Sequence, residues 1–228
     1  MFDRLVTLIG EEKLELIKSK KVLVLGCGGV GGYVIEGLVR SGISNITVID
    51  KDIVDETNLN RQIIALHSTI GIKKVRLIKT RVLDINPEVK INAIDKQILF
   101  NDIERLNLCN YDYVVDAIDD VKVKVELIKY SLVNNVKLIV STGTAKKLHP
   151  ECLKITTLNK TSGDPLAKKL RSSLKDYKLN KITVLASTES PIISGSKLGS
   201  SAFVPSIGGL LIASYIINDI VGGSNGEL

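Results

Sequence analysis

Cysteine is scarce in this chain. The three present (Cys27, Cys109 and Cys152) stand far apart, with no CxxC pair. That spacing argues against a disulfide framework and a four-cysteine zinc site, and it fits a reducing compartment, the cytoplasm. Histidine is equally sparse, and neither His67 nor His149 stands at a spacing that demands a general base. The start, Met1-Phe2-Asp3-Arg4, lacks the basic-then-apolar pattern of a secretory signal. Internal repeats are absent, and one apolar run alone, Phe203 to Val221, approaches the length of a membrane span. Pro205, Ser206, Ser214, Asn218 and Asp219 interrupt it. A carboxylate in hydrocarbon is costly, so this segment reads as a buried or interface helix, with no membrane partner.

What is present describes a soluble globular protein. The 228 residues suffice for one substantial core, and 44% hydrophobic with 25% charged residues is ordinary for such a domain. The net charge of +6 permits a phosphate-rich partner. Its distribution says more: Lys160, Lys168, Lys169, Arg171, Lys175, Lys178 and Lys181 face only Asp164 and Asp176 between positions 160 and 181. This segment is either a solvated lysine-rich face or a surface for a polyanion.

Along the chain, Leu14, Leu16 and Ile17 suggest a short amphipathic entry helix. Lys21 to Leu25 is a compact apolar run ending at Gly26, as in a buried parallel strand. A helix from Tyr33 to Arg40 stops at Gly42, and a strand from Ile46 to Ile49 follows. This is a βαβ unit, for which a right-handed crossover is expected. Alternation continues with a helix at Lys73 to Asp84, strands at Val89 to Ile94 and Tyr113 to Val115, a helix at Val121 to Val133 and a strand at Lys137 to Ser141. The fold class is therefore α/β: Rossmann-like, a mostly parallel sheet with helices on both faces. After Gly143, strand-like runs at Cys152 to Leu158 and Ile182 to Ala186 flank a basic helix from Asp164 to Leu174, which reads as a C-terminal extension of the sheet. A Ser- and Gly-rich stretch from Ser187 to Ser201 precedes the last helix.

Gly26-Cys27-Gly28-Gly29-Val30-Gly31 matches GxGxxG directly after a strand and before a helix. Lacking side chains, such a loop lets backbone N–H groups approach phosphates. Asp50 follows at the distance where an acidic side chain receives ribose hydroxyls. A glycine loop serving only tight packing is the plain alternative. The cluster behind it points to ATP rather than a nicotinamide: Asp52, Asn58, Arg61, Gln62 and Lys74 set donors where phosphates would lie. Asp116-Ala117-Ile118-Asp119 follows a strand, and Asp119 there is placed to hold Mg²⁺ against those phosphates. Asp119 or Asp120 as a helix cap is the alternative.

Together, GCGGVGG, Asp50-Lys51-Asp52, Asn58 to Gln62, Gly71 to Lys74 and Asp116 to Asp119 resemble the ubiquitin-activating-type, ThiF-like adenylyltransferase superfamily. Asn60 to Gly71, Lys160 to Ala167 and Ser201 to Ser206 resemble, more narrowly, the tRNA threonylcarbamoyladenosine dehydratases. Ile64 departs from the family's pattern, which has histidine there. The resemblance implies a single ATP-binding domain over residues 1–221. Residues 20–142 form its nucleotide half, 143–221 a substrate-facing and dimer-related extension, and 222–228 a flexible tail.

The resemblance further implies an ATP- and Mg²⁺-dependent enzyme acting on tRNA. The threonyl carboxylate of the modified adenosine is adenylated and the group then cyclises, so the protein needs neither zinc nor a catalytic cysteine. Carried over to this sequence, Gly26, Gly28, Gly29 and Gly31 admit the phosphates, Asp50 holds ribose, and Asn58, Arg61 and Lys74 clamp phosphates beside Asp52 and Gln62. Asp119 holds the metal, and Arg4 reaches into the partner's site of a homodimer, unless it is an ordinary terminal charge. A sulfur-acceptor or desulfurase-related protein is a further partner that the resemblance allows. Sulfur-carrier adenylyltransferases of the thiamine and molybdopterin type share the ATP site and are the rival reading. A nucleotide-binding scaffold without turnover is a third.

Overall fold

The computed structural model describes residues 1–193 and 199–222. Part of the Ser187 to Ser201 stretch and most of the expected tail therefore lie outside the described residues. The chain opens with two helices, α1 (Asp3–Ile9) and α2 (Glu11–Lys18), hinged at Gly10. There follow β1 (Lys21–Leu25), α3 (Gly31–Arg40), β2 (Asn45–Asp50), α4 (Lys74–Ile85), β3 (Lys90–Asp95), β4 (Tyr113–Asp116), α5 (Val121–Asn134) and β5 (Leu138–Ser141). The last third contributes β6 (Leu153–Thr157), α6 (Pro165–Ser173), β7 (Thr183–Ser187) and α7 (Phe203–Ile220).

All seven strands join one sheet in the order β3-β2-β1-β4-β5-β7-β6. Only β6 runs against its neighbour, pairing antiparallel with β7 at the edge. The C-terminal extension thus lengthens the sheet, as the sequence suggests. Strand period dictates the two cores. Val22 and Val24 of β1 pack with Val34, Ile35 and Leu38 of α3, with α4 and with α7, while Leu23 and Leu25 point to α5 and α6. Each such buried aliphatic side chain contributes about 1.5–3 kcal/mol of transfer free energy.

Two differences from the sequence reading have physical causes. Helix α1 went unread because it is only seven residues long and none of its side chains is fully buried, Leu5, Val6 and Ile9 being half-buried. Helix α3 starts two residues before Tyr33, because the final glycines of the loop already bond in helical fashion: Gly32 N–H donates to Gly28 O at 3.0 Å.

Helix α7 satisfies the length and apolarity of a membrane span, yet one side of it lies against α3. The contact is close enough to need small residues. A Cβ on Gly209 would stand 2.4 Å from Val30 O and 2.7 Å from Tyr33 Cβ, and one on Gly37 would stand 2.7 Å from Ala213 Cβ. On its other side α3 is tied to α4 through Glu36. This carboxylate accepts from Arg40 Nε at 2.7 Å and from Arg81 Nε and Nη2 at 2.7 and 3.0 Å. Burial alone would raise the carboxyl's pKa, but the two guanidiniums hold it below the usual range. Gly209→Ala is expected to force α7 off α3 and to cost about 2 kcal/mol. Urea unfolding would read this as a lower midpoint at unchanged slope.

Candidate active site

Between β1 and β4 the strand order changes direction, the place where open α/β sheets bind ligands at their carboxyl ends. A cavity of about 730 Å³ opens there. Gly26, Gly28 and Gly29 follow β1, Asp50 ends β2, Asp119 follows β4, Ser141 ends β5, and Thr142 and Gly143 follow it; all line it. So do Asp52, Asn58, Arg61, Gln62 and Lys74. Residues far apart in sequence therefore meet around one space.

Gly31 lies beneath the lining. A Cβ there would stand 1.9 Å from Gly26 O, and Gly26, at φ +94°, would carry its own Cβ 2.7 Å from Ala117 O. Both absences let the loop fold flat between β1 and β4. Asp50 then fastens it: Oδ2 accepts the Cys27 N–H at 2.6 Å and Oδ1 accepts the Asp52 N–H at 2.7 Å. Cys27 itself points into the core, where burial, helped by Asp50, pushes its thiol well above the ordinary range. None of the three cysteines lines the cavity.

Above the loop, Asn58 builds the turn that carries the basic group. Its carbonyl accepts the N–H groups of Arg61 and Gln62, and its Oδ1 accepts that of Asp55 at 3.2 Å. Arg61 reaches across Gly29, whose missing side chain leaves room 3.5 Å from Arg61 Cγ, and is held by Nη1 bonds to Thr57 O (2.7 Å) and Asn60 Oδ1 (3.0 Å). Gln62 is nearly buried, and its Oε1 has no hydrogen-bond partner among the described residues. A buried acceptor left this way is costly unless a ligand or water donates to it. Lys74, 5% exposed, donates to Asp52 Oδ2 at 3.1 Å.

The carboxylate pair after β4 resolves cleanly. Asp120 caps α5, accepting from Lys122 and Val123 N–H, which leaves Asp119 exposed in the cavity wall. Among the described residues no group of three His, Cys, Asp or Glu side chains gathers as a metal site. Mg²⁺ nevertheless binds through one or two carboxylates plus substrate phosphates, so a single carboxylate on this wall fits it. Arg4 lies outside the lining, exposed on α1.

The second half of the wall escaped sequence reasoning. Asp164, 2% exposed, caps α6 by accepting from Leu166 N–H (2.8 Å) and Ala167 N–H (3.3 Å). Its other oxygen accepts from Thr142 Oγ1 (2.6 Å) and Gly143 N–H (2.9 Å). Lys147, also buried, donates to Gly143 O at 2.8 Å; burial lowers its pKa against the opposing pull of Asp164. The signal was available: Asp164-Pro165 is the N-cap followed by proline that opens a helix. Lys169, on the first turns of α6, faces the same cavity. Flanks of the Ser-rich stretch reach it too, since Lys146 N–H donates to Gly199 O at 2.8 Å and Asn60 Nδ2 to Ser200 O at 2.8 Å.

With this geometry established, comparison with known proteins is informative. The ThiF family profile matches residues 2–220, and the chain belongs to the ThiF family. It is 38% identical to a tRNA threonylcarbamoyladenosine dehydratase of Bacillus subtilis over 96% of this chain and 94% of that protein. Its fold superposes on the tRNA threonylcarbamoyladenosine dehydratase of Escherichia coli in complex with ATP with a TM-score of 0.91 at 34% identity, covering 97% of this chain and 93% of that one. The same enzyme in complex with AMP gives 0.89 at 34%, covering 95% and 92%.

Asp164→Ala should leave the Gly143, Leu166 and Ala167 N–H groups around a buried void, Thr142 Oγ1 keeping Leu185 O as acceptor, and destabilise the fold by roughly 3 kcal/mol, of which the cap accounts for about one. Denaturant titration measures the loss, and a change within error would remove the proposed latch between β5 and α6.

Proposed function

We infer that this protein is an ATP-dependent tRNA threonylcarbamoyladenosine dehydratase. One observation carries the reading: Arg61, Lys74, Asp119 and the glycine loop converge on a cavity at the switch point, in a chain that parallels an ATP-bound enzyme of that name along almost its whole length. We take residues 1–221 as one ATP-binding unit, with 20–142 as the nucleotide half and 143–221 as the substrate-facing half.

The threonyl carboxylate is a poor electrophile at neutral pH. In the proposed first step one of its oxygens attacks the α-phosphorus of ATP, the bond to the bridging oxygen breaks, and pyrophosphate leaves. A neighbouring atom of the carbamoyl group then attacks the acyl carbon and loses its proton as the bond to AMP breaks. The carboxylate oxygen departs on AMP, so the modified base loses the elements of water. The nucleophile belongs to the substrate, which agrees with a cavity lined by no cysteine.

Asp50 orients ribose in this scheme, and Gly28 and Gly29 let the backbone N–H groups meet the phosphates. Arg61 has Nε and Nη2, and Lys74 two further N–H groups, to give to phosphate oxygens beside their bonds to Thr57 O and Asp52, which an anionic ligand can also displace. Asn58 holds the turn and Gln62 offers its unpartnered Oε1 to a ligand donor. Asp119 holds Mg²⁺, which supplies positive charge to the oxygens that become anionic.

The exposed lysines at 168, 169, 175, 178 and 181 take the tRNA backbone, with Lys169 leading into the cavity. Phe203, Ile207 and Leu210 form an exposed apolar stripe on the outer side of α7 and support a homodimer. Arg4, remote from its own cavity, contributes to catalysis through the partner copy in that assembly. The enzyme is proposed to act in the cytoplasm. Sulfur-carrier adenylyltransferases remain the weaker reading, since neither zinc cysteines nor a cavity thiol is present.

With ATP, Mg²⁺ and tRNA bearing threonylcarbamoyladenosine, the modified nucleoside should lose the mass of one water and AMP should appear. No mass change under any condition would sink this function. Asp119→Ala, at an exposed position, should keep the melting temperature while lowering AMP formation by on the order of 100-fold or more; undiminished turnover would remove its metal role. Affinity for tRNA should fall linearly on a log–log plot against salt. Removing Lys168 and Lys175 together should flatten that slope by roughly one unit for each lysine that meets a phosphate, whereas an unchanged slope would exclude this face.

A further inference from the structure

Beneath the cavity floor lies an ion pair with no exposure at all. Lys124 Nζ, from the start of α5, donates to Asp116 Oδ1 at 3.0 Å and to Ser141 O at 2.9 Å, and both charged side chains are fully buried. Three segments meet in this one head group. Asp116 ends β4, and its Oδ1 also accepts the Ile118 N–H at 3.3 Å, which shapes the turn leading to Asp119. Ser141 ends β5 and opens the loop through Thr142 and Gly143 that Asp164 latches. Ile118 and Asp119 of the turn and Ser141 to Gly143 of the loop line the same cavity.

Stability alone does not account for the pair. Taking two charges wholly out of water is expensive, and well-packed apolar residues of similar volume commonly hold a core as well or better. Here the satisfaction is also incomplete, because Asp116 Oδ2 has no partner among the described residues. What apolar residues could not do is fix a direction: the lysine binds a carboxylate on one strand end and a carbonyl on the next at defined distances.

We propose that Lys124 is a positioning residue. By holding Asp116 and the Ser141 carbonyl at once, it sets the register between the turn carrying Asp119 and the loop carrying Thr142-Gly143, and so between the α-phosphate and the carboxylate that attacks it. Lys124 touches neither reactant. The inference rests on the adenylating function proposed above.

The test pairs two variants. Asp116→Asn with Lys124→Met removes both charges at similar volume; it should fold with an unchanged or higher melting temperature and bind ATP with little change in affinity. Its AMP-forming kcat should fall by on the order of 100-fold, the cost of misplacing reactants by about 1 Å. Amide exchange should quicken at 117–119 and at 142–143 together. Asp116→Asn alone leaves the Lys124 charge buried without a counter-ion and should lower the melting temperature that the double variant keeps. Full kcat in the double variant overturns the proposal. So does an unfolded double variant, which makes the pair a structural necessity. If the unsubstituted protein itself forms no AMP on modified tRNA, the functional reading fails instead. Amide exchange in the two segments then still reports whether Lys124 couples them.

Discussion

Everything at the site depends on how closely the chain after β1 can approach the chain after β4. Gly26 and Gly31 lie so near each other and Ala117 that no side chain fits at either. That flat loop, buttressed by Asp50, leaves a shallow floor open at the switch point of the sheet. A bulkier loop would fill the volume where phosphates belong. Helix α3 inherits its starting position from the same contact, and α7 inherits its own from α3, since Gly209 sits against Val30 and Tyr33. One steric constraint thus propagates from nucleotide loop to C-terminal helix.

Onto that floor the molecule adds charge with restraint. Lys74 and Arg61 are engaged by Asp52, Thr57 O and Asn60, so the cavity holds its cations in place without leaving them bare. Weak, partly exposed partners suit this purpose because a polyphosphate can outcompete them. The far wall works differently. Asp164 accepts four hydrogen bonds from two segments and is almost fully buried, which makes it a fixed strut. The cavity thus combines exchangeable contacts around Arg61 and Lys74 with permanent ones around Asp164.

Much of this was legible in the residues. Period-two and helical patterns placed nearly every strand and helix, because buried strands and amphipathic helices must display their periods to pack at all. That the glycine loop, Asp50, the Arg61 cluster and Asp119 share one cavity was legible for a related reason: a phosphate site calls for particular residue types at short spacing. Helix α1 was illegible since its seven residues show too short a pattern and its apolar side chains are only half-buried. The choice between Asp119 and Asp120 as helix cap was equally closed to sequence, because adjacent carboxylates differ only in which one the chain turns toward the helix. Ile64, where the family pattern has histidine, proves to be a core residue, which the flanking sequence did not reveal.

By itself, then, the sequence determined an α/β sheet, an ATP-type loop and the family that the motifs resemble, because those properties rest on local spacing and on residue chemistry. Only the tertiary structure decided that Asp164 latches β5 to α6, that Gln62 is left with an unpartnered acceptor, and that Lys124 lies buried between Asp116 and Ser141. Those facts depend on which distant segments become neighbours and on which polar atoms lose water when they do. No local pattern records either.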